Sequence, residues 1–365
     1  MFAIDAHLDL ATNAISLNRD LTLSAKKIRQ LEKQSNLTDR KDRGNGTVAL
    51  PDLREGSIGL IIATIISRVA VPGKPVTSIS LTGWNSPAQA YAFAQSQLSW
   101  YRVMEDLGEM VQIRTEEELD KHLTLWADPT IPNADKPIGY LLSLEGADSI
   151  IGPDYLQRYY AEGLRAIGPA HFGPGRYAAG THSDQSGLTA AGKDLLREME
   201  SLQMILDCTH LTDKGFFQAM DLYDGTVIAS HQNCRTVIPG ERQFSDDQLK
   251  ALIERDGVAG GALDAWMLYP DYQMGSDPKV LGIDLAKLIP HFDHICQLAG
   301  NSRHIAFGSD LDGLFGREQS PFDLDTIADL QKFKDLLSDR GYVTEDLENI
   351  FHKNWLRVFR RCLGN

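Results

Sequence analysis

The chain alternates short apolar runs with longer stretches that carry hydrophobic residues at helical spacing. Eight of the runs are rich in β-branched and aliphatic residues and have the length of buried strands. Strands that alternate with helices are typical of parallel pairing, so we predict an α/β fold, a (β/α)8 TIM barrel formed as one domain by residues 1–365. The predicted strands are 2–8, 58–67, 138–144, 164–168, 204–208, 227–230, 258–263 and 304–308, and the clearest helices are 87–107, 190–202, 246–254 and 285–298.

Two segments stand apart from this alternation. Residues 24–45, between the first two predicted strands, are dense in Lys, Arg, Asp and Gln, and we expect an exposed, charged insertion there. A helix that acts as a lid is the alternative for this segment. Residues 345–362 carry apolar positions at helical spacing and predict a helix that closes the fold.

The first predicted strand carries polar residues on alternate positions. Asp5, His7 and Asp9 occupy odd positions, whereas the even positions from 2 to 10 are all apolar. Because the side chains of a strand alternate between its two faces, we predict that His7 and Asp9 project from one face. The apolar set is then expected to pack under the helices.

Other predicted strands also end in polar side chains. A barrel brings the carboxyl ends of its strands to one mouth, where the active sites of this fold lie. A single histidine at a strand end is more often a hydrogen-bonded loop residue than a metal ligand. The pattern gains weight because it recurs at six of the eight strands. Beyond the first strand, the residues concerned are Glu145, His171, His210, His231 and Asp310.

Several acidic residues at one buried mouth indicate a bound cation. Without one, Asp9, Glu145 and Asp310 would bury like charges at a cost of several kcal/mol per ion. Histidines together with carboxylates form the ligand set that suits Zn²⁺ or a neighbouring first-row ion. The number of candidate ligands favours two ions, which a bridging carboxylate would hold about 3.5–4 Å apart around one activated hydroxide.

Composition narrows the classes of function. The chain has 36 Lys and Arg residues against 50 Asp and Glu residues, a formal net charge of −14, which disfavours a nucleic-acid partner. No apolar run is long enough to span a membrane and no signal-peptide pattern is present, so we expect a cytoplasmic protein without membrane contact. The four cysteines lack the spacing of a Cys-based zinc site or a disulfide framework.

Segments spread in order over essentially the whole chain resemble the membrane (renal) dipeptidase family, which comprises zinc metallopeptidases with an amidohydrolase-type barrel. DAHLD at 5–9 is similar to the family's DGHxD opening, and LPDLREGSIG at 50–59 to its LPRLREGGVG segment. LEG at 144–146 resembles the segment of its bridging Glu, and DCTH at 207–210 its D-x-x-H segment. SHQN at 230–233, FGSDLDG at 307–313, LLSDRGY at 336–342 and NWLRVF at 354–359 resemble its S-H-S-N, GxDxDG, LLxRGY and NxLRVF segments.

The resemblance implies a centre with two zinc ions per chain. His7 and Asp9 would hold one ion. His210 and His231 would hold the other, with Glu145 as the bridge. The family also suggests a homodimer.

The resemblance further implies three roles around the metals. Asp310 would be the general base and proton shuttle, and His171 would polarise the scissile carbonyl. Arg242 would hold the carboxylate of the substrate. The chemistry agrees, since a carboxylate at a strand end can accept a proton and the guanidinium fork matches a carboxylate.

The segment after the seventh predicted strand departs from the family pattern. Where the family has Asn-Phe-Tyr, residues 261–266 read GALDAW, with Asp264 in the position of the Tyr. We consider Asp264 a candidate for binding a substrate amine, and a salt bridge to Arg176 or Arg242 is the alternative. The residues after His171 also differ from the family, and His182 in that loop is a further candidate for contact with the substrate.

The leading hypothesis from the sequence is a zinc-dependent dipeptidase that hydrolyses dipeptides or closely related small amides through a metal-bridging hydroxide. Another amidohydrolase activity, on an N-acyl amino acid, a cyclic amide or a lactone, is the alternative because the segment around Asp264 differs. A non-catalytic metal-binding barrel is less favoured, since Asp310 and the histidine ligands are all present.

Overall fold

Eight parallel strands follow one another around a barrel in a computed structural model that describes residues 1–70 and 83–364. Neighbouring strands pair in chain order, and β8 returns to pair with β1. Between β6 and β7 the ring is joined by one parallel bridge from Ala229 to Ala259. The strands are β1 Ala3–Leu8, β2 Ile58–Ile66, β3 Ile138–Glu145, β4 Leu164–Gly168, β5 Ile205–Asp207, β6 Val227–Ile228, β7 Ala259–Gly261 and β8 Ile305–Phe307.

The predicted barrel is confirmed, and each predicted strand overlaps an observed one with ends that differ by at most two residues. A short strand, Met110–Gln112, pairs beside β3 on the outside of the ring. Arg68–Val69 and Gly83–Trp84 form a separate two-stranded sheet next to the mouth end of β2.

Helices fill the connections between the strands. Ser86 caps the helix that begins at Pro87, and Ser245 forms a capping box with Gln248. In the described residues, no helix combines the length and the hydropathy that a bilayer crossing requires. The α-helices are Leu10–Ser16, Ala25–Gln34, Leu50–Glu55, Pro87–Asp106, Glu116–Ala127, Pro153–Ala161, Ala190–Ser201, Asp213–Leu222, Asp246–Glu254, Pro278–Leu281, Ile289–Ala299, Phe333–Arg340, Thr344–Glu348 and Asn354–Leu363.

A compact set of apolar side chains fills the inside of the barrel. It takes residues from each of the strands or from the position just before a strand, which only the interior of a closed ring can do. The set also contains Trp355, Val358 and Phe359 of the last helix. Arg357 of that helix donates a hydrogen bond to the backbone oxygen of Arg303, which lies just before β8, so the helix covers the amino-terminal end of the barrel.

The expectation that the apolar side chains of β1 all pack under helices is wrong. Ile4 and Ala6 belong to the interior set, whereas Ala3 and Leu8 pack with the outer helices. The reason is the register of β1 against β2, which shifts between Ala3 and Ile4 and again between Asp5 and Leu8. The strict alternation along β1 is therefore broken just before the mouth.

The charged segment 24–45 is only partly the solvated insertion that its composition suggests. Its helix Ala25–Gln34 is capped by Ser24, but Arg29, Glu32 and Asp42 are buried. These side chains take part in ion pairs, which is why charged residues can lie inside. Residues 39–42 of the segment line the pocket at the mouth of the barrel.

Candidate metal centre

The mouth of the barrel brings the predicted metal ligands together. Nε2 of His7 lies 3.7 Å from Oε2 of Glu145 and 3.8 Å from Oδ1 of Asp310. Oε1 of Glu145 lies 3.0 Å from Nε2 of His210 and 3.5 Å from Nε2 of His231. Glu145, the last residue of β3, is therefore central to the cluster.

Asp9 completes the cluster on the side of β1. One oxygen of Asp9, one nitrogen of His7 and one oxygen of Glu145 all lie within 4.8 Å of one another. All three side chains are buried. This is the grouping that the sequence predicts for the first of two ions.

The two histidines on the other side face each other through their Nε2 atoms. These nitrogens of His210 and His231 are 3.0 Å apart. Two imidazole nitrogens that bind one tetrahedral zinc ion at about 2.0–2.1 Å lie about 3.3 Å apart. The observed spacing is close to that value, so the pair fits a shared cation.

Burial holds the imidazoles of the cluster in their neutral form. It lowers the pKa of His7 to about 3, and the nearby Arg242 guanidinium acts in the same direction. Burial also lowers the pKa values of His210 and His231 well below the usual value, with Arg242 again among the causes. Neutral imidazoles offer the lone pairs that metal binding requires.

Positive charge compensates the carboxylates of the cluster only in part, since the Arg242 guanidinium opposes but does not cancel the rise in the pKa values of Glu145 and Asp310. Burial raises the pKa of Asp9 to about 7, and burial with mutual repulsion raises the pKa values of Glu145 and Asp310 well above the usual range. Oδ1 of Asp9 and Oε1 of Glu145 are buried and accept no hydrogen bond from the described residues. Orphaned carboxylate oxygens beside neutral imidazoles are a donor set that a divalent cation fits.

Ser230, whose role the sequence does not reveal, orients two of the histidines. Its Oγ lies 2.9 Å from Nδ1 of His231 and 3.5 Å from Nδ1 of His7. Oγ1 of Thr64 lies 3.4 Å from the same nitrogen of His7. These contacts engage the Nδ1 atoms and leave the Nε2 atoms to face the carboxylates, as expected for metal ligands.

Two of the site residues have a left-handed backbone. His210 has a φ of 67° and Asp310 a φ of 58°, both unusual for residues other than glycine. Each lies in the loop directly after its strand, where the chain turns away from the barrel. Such strained positions concentrate at functional sites because the surrounding structure holds the side chain in place.

His171 lies at the rim of the cluster, as predicted. The ring centroid of His171 is 4.6 Å from that of His210. One ring nitrogen of His171, one nitrogen of His210 and one carboxylate oxygen of Glu145 all lie within 4.8 Å of one another. Nη1 of Arg68 lies 3.5 Å from Nδ1 of His171. Arg68 was not identified from the sequence, although its place just beyond β2, at the mouth end, was a signal for it.

Arg242 lies inside the mouth beside the cluster. It is only 2% exposed, and Nη1 donates to Oε1 of Gln232 at 2.6 Å while Nη2 donates to the backbone oxygen of His231 at 2.9 Å. Its Nε has no acceptor among the described residues. Arg242 lines the pocket, so the guanidinium is in reach of a bound molecule.

Asp264 also lines the pocket, but it does not form the salt bridges that the sequence left open. Its carboxylate accepts hydrogen bonds from the Trp266 indole at 2.7 Å and from the Gln319 amide at 2.9 and 3.0 Å. No ion pair joins it to Arg242 in the part of the chain that the structure describes. Arg176 instead donates to the backbone oxygens of Asp148 and Ile150.

A pocket of about 750 Å³ opens in front of the cluster. Its size falls within the usual range for sites that take small molecules. Asp9, Glu145, His210, His231 and Asp310 form its floor, together with His171 at the side. Phe172, Trp266 and Tyr272 line its walls, and these aromatic residues had no assigned role in the sequence.

The barrel and the cluster of histidines and carboxylates at its mouth define the class of metal-dependent barrel hydrolases. The model of the membrane dipeptidase family (peptidase family M19) matches residues 1–363. This chain therefore belongs to the membrane dipeptidase family, which confirms the resemblance, and its family consists of hydrolases.

Relatives of known sequence agree with this assignment. The chain is 29% identical over 285 residues to an uncharacterized dipeptidase of Schizosaccharomyces pombe. The match covers 73% of this chain and 66% of that protein. It is also 30% identical over 234 residues to an uncharacterized protein in the pqqA 5′ region of Klebsiella pneumoniae. That match covers 62% of this chain and 83% of the relative. With the dipeptidase aclJ of Aspergillus oryzae, the match spans only 51% of the relative.

Solved structures share the fold over the whole chain. A metallo peptidase from Rhodobacter sphaeroides, liganded with a phosphinate mimic of the dipeptide L-Ala-D-Ala, superposes with a TM-score of 0.76 at 23% identity and covers 99% of each chain. A dipeptidase described as a metallo peptidase of family M19 gives a TM-score of 0.77 at 24% identity, covering 100% of this chain and 99% of the other. At these identities the likeness establishes the fold.

Proposed function

We propose that this chain is a zinc-dependent dipeptidase that binds two zinc ions and hydrolyses the amide bond of dipeptides or closely related small amides. The observation that carries the proposal is the position of Glu145, whose carboxylate lies within 3.7 Å of His7, His210 and His231. A carboxylate between two sets of neutral imidazoles is the arrangement that a bridging ligand needs.

His7 and Asp9 would hold one zinc ion, and His210 and His231 the other, with Glu145 shared between them. When bound, the ions supply a water molecule that ionises near neutral pH and a Lewis acid for the scissile carbonyl. The orphaned oxygens of Asp9 and Glu145 support this assignment.

Asp310 is the residue best placed to move protons. Its side chain is 17% exposed, more than that of Glu145, so a substrate in the pocket can reach it. Its carboxylate takes a proton from the attacking water and passes it to the leaving amine, which is the usual task of a general base that becomes a general acid. The burial and repulsion that raise its pKa favour proton uptake.

His171 and Arg242 bind the substrate in this proposal. The ring of His171 lies between Arg68 and the cluster, where its imidazole can donate a hydrogen bond to the scissile carbonyl oxygen. Arg242 holds the free carboxylate of the dipeptide, because its guanidinium lines the pocket and its Nε lacks an acceptor among the described residues.

The proposal is tested by measuring the metal content of the purified protein and its hydrolysis of a dipeptide panel. We expect two zinc ions per chain and cleavage of unmodified dipeptides. Arg242→Ala should weaken the binding of free-acid dipeptides and leave C-terminally amidated ones nearly unchanged. Equal losses on both would contradict the role of Arg242, and protein that binds no divalent metal would support a non-catalytic barrel.

A second candidate function is another amidohydrolase activity, on an N-acyl amino acid, a cyclic amide or a lactone. The observation that favours it is the Asp264 segment, which lies in the pocket and differs from the family pattern. Two bound ions with cleavage of such compounds, but not of dipeptides, would establish it. A cytoplasmic location and a homodimer stay predictions for this protein.

A further inference from the structure

Both carboxylate oxygens of Asp264 accept hydrogen bonds from neighbouring groups. Oδ1 lies 3.3 Å from the backbone nitrogen of Trp266 and 2.9 Å from Nε2 of Gln319. Oδ2 lies 2.7 Å from the indole nitrogen of Trp266 and 3.0 Å from the same Gln319 nitrogen. Three N–H donors, one of them shared between both oxygens, therefore occupy this carboxylate, and a substrate amine would have to compete with them.

These contacts fix the orientation of the Trp266 indole. Asp264 follows β7 by three residues and accepts from the indole, and Gln319, from the loop after β8, holds Asp264 in place. Trp266 is half-buried and lines the pocket, whereas Asp264 is only 6% exposed. The carboxylate therefore acts on the shape of the pocket through the tryptophan.

Trp266 belongs to a group of three rings on one side of the pocket. Its centroid is 6.4 Å from that of Phe172 and 6.2 Å from that of His182, and the latter two are 5.2 Å apart. These three residues, all of which line the pocket, form what we call the aromatic wall. The ring of Phe172 also lies 4.6 Å from that of His210, so the wall reaches the metal cluster.

The aromatic wall adjoins the residue that would hold the substrate carboxylate. The backbone nitrogen and Nδ1 of His182 lie 2.9 and 3.1 Å from Oε1 of Glu241, the neighbour of Arg242 in the chain. The Arg242 guanidinium also lies close enough to Asp264, the partner of Trp266, to oppose the rise that burial causes in the pKa of Asp264, and Arg242 lines the same pocket as the wall. A dipeptide whose carboxylate binds Arg242 would then place its C-terminal residue beside the wall. Flat rings at these spacings offer the edge and face contacts that aromatic side chains prefer.

We infer that the aromatic wall is a subsite for an aromatic side chain on the C-terminal residue of the substrate, and that Asp264 and Gln319 are positioning residues for Trp266. This inference rests on the proposed dipeptidase function. It assigns Asp264 a task different from the amine binding that the sequence suggests.

The test compares Ala-Phe, Ala-Ala and Phe-Ala as substrates of the zinc-loaded protein. The wild type should prefer Ala-Phe over Ala-Ala by about tenfold or more in kcat/KM, mainly through KM. Trp266→Ala should remove this preference while the metal content stays unchanged. Phe217→Ala, which removes an exposed ring outside the pocket, is the control and should leave the preference intact.

Asp264→Asn separates positioning from amine binding. Its amide would place hydrogens against the Trp266 indole or the Gln319 amide, so the preference for Ala-Phe should fall as in Trp266→Ala. If Asp264 bound the substrate amine, Asp264→Asn would instead weaken Ala-Phe and Ala-Ala equally. That result would overturn the positioning role.

Equilibrium binding of phosphinate analogues of Ala-Phe and Ala-Ala tests the subsite without turnover. We expect about tenfold tighter binding of the Ala-Phe analogue by the wild type and equal binding of the two by Trp266→Ala. No difference in the wild type, or a difference that survives Trp266→Ala, would overturn the subsite. A preference for Phe-Ala would overturn its C-terminal placement. Selective binding without hydrolysis of any dipeptide would refute the dipeptidase function alone.

Discussion

Two groups of buried charges lie near the same end of the barrel, and they are built in opposite ways. The first, which we call the arginine cluster, consists of Arg19, Glu32, Asp42, Arg43 and Asp312. Nε of Arg19 donates to Glu32 at 2.9 Å and Nη2 to Asp42 at 3.1 Å. Arg43 also donates to Glu32, at 2.9 Å. Each acid of this group has an arginine within 4 Å.

The metal centre lacks such arginine partners in the part of the chain that the structure describes. Asp9, Glu145 and Asp310 are acids, the neighbouring imidazoles are neutral, and Arg242 donates to other groups. Among the described residues, none provides an ion pair to Asp9. This chain thus pairs the buried acids of the arginine cluster with arginines. At the mouth it leaves the acids for a cation from solution.

The largest effect should come from removing the central acid of the metal centre. Glu145→Gln loses the shared negative charge, so it should lower the metal content per chain and reduce hydrolysis by about a thousandfold or more. Metal analysis and dipeptide turnover are the measurements. Glu318→Gln, which alters another pocket carboxylate outside the cluster, is the matched control and should keep its metals. Unchanged stoichiometry in Glu145→Gln would argue against a bridge.

Asp310→Asn should keep the metals and lose turnover. The amide has the same shape but cannot accept a proton, so kcat should fall by about 10²–10⁴-fold. Stopped assays on a dipeptide, alongside metal analysis of the same preparation, measure both properties. A variant with wild-type turnover would exclude Asp310 as the general base.

The arginine cluster should respond in stability rather than in metal binding. Arg19→Met removes the arginine that Glu32, Asp42 and Asp312 share, and the free energy of unfolding should fall by about 3–5 kcal/mol. Urea unfolding measures this loss. Arg197→Met, which removes an exposed arginine paired with Asp194, should leave stability nearly unchanged. Loss of zinc from folded Arg19→Met protein would contradict the prediction that the arginine cluster affects stability and not metal binding.

The smallest effect is expected at the contacts behind the histidines. Ser230→Ala removes the hydroxyl that orients His231 and His7, so zinc affinity should fall by about tenfold to a hundredfold. Competition with a chelator of known affinity measures the change. Thr64→Val removes only the longer contact to His7, at 3.4 Å, and should have a weaker effect. A Ser230→Ala variant with wild-type affinity would show that packing alone holds the rings.

The grouping of the candidate metal ligands was predictable because each ligand has the same kind of position in the sequence. His7, Glu145, His210, His231 and Asp310 each stand at or just beyond the end of a recognisable strand. Parallel strands of a barrel must bring such ends together. The register shift in β1 did not affect the predicted position of His7 at the mouth. It changed only which face of the strand its apolar neighbours occupy.

The walls of the pocket were not predictable in this way. The contact between Asp264 and Gln319 joins residues 55 positions apart, on loops that follow different strands. Loop conformation determines such contacts, and no periodicity in the sequence encodes it. The burial of Glu32 and Asp42 was missed for a related reason, because their arginine partners are identified only once the segment is folded.

The last helix, Asn354–Leu363, makes the two ends of the barrel different. It covers the amino-terminal end of the strands, while the pocket opens at the other end. Within the described chain, the pocket in front of the candidate metal ligands opens at the carboxyl end of the strands, so a substrate approaches from that end.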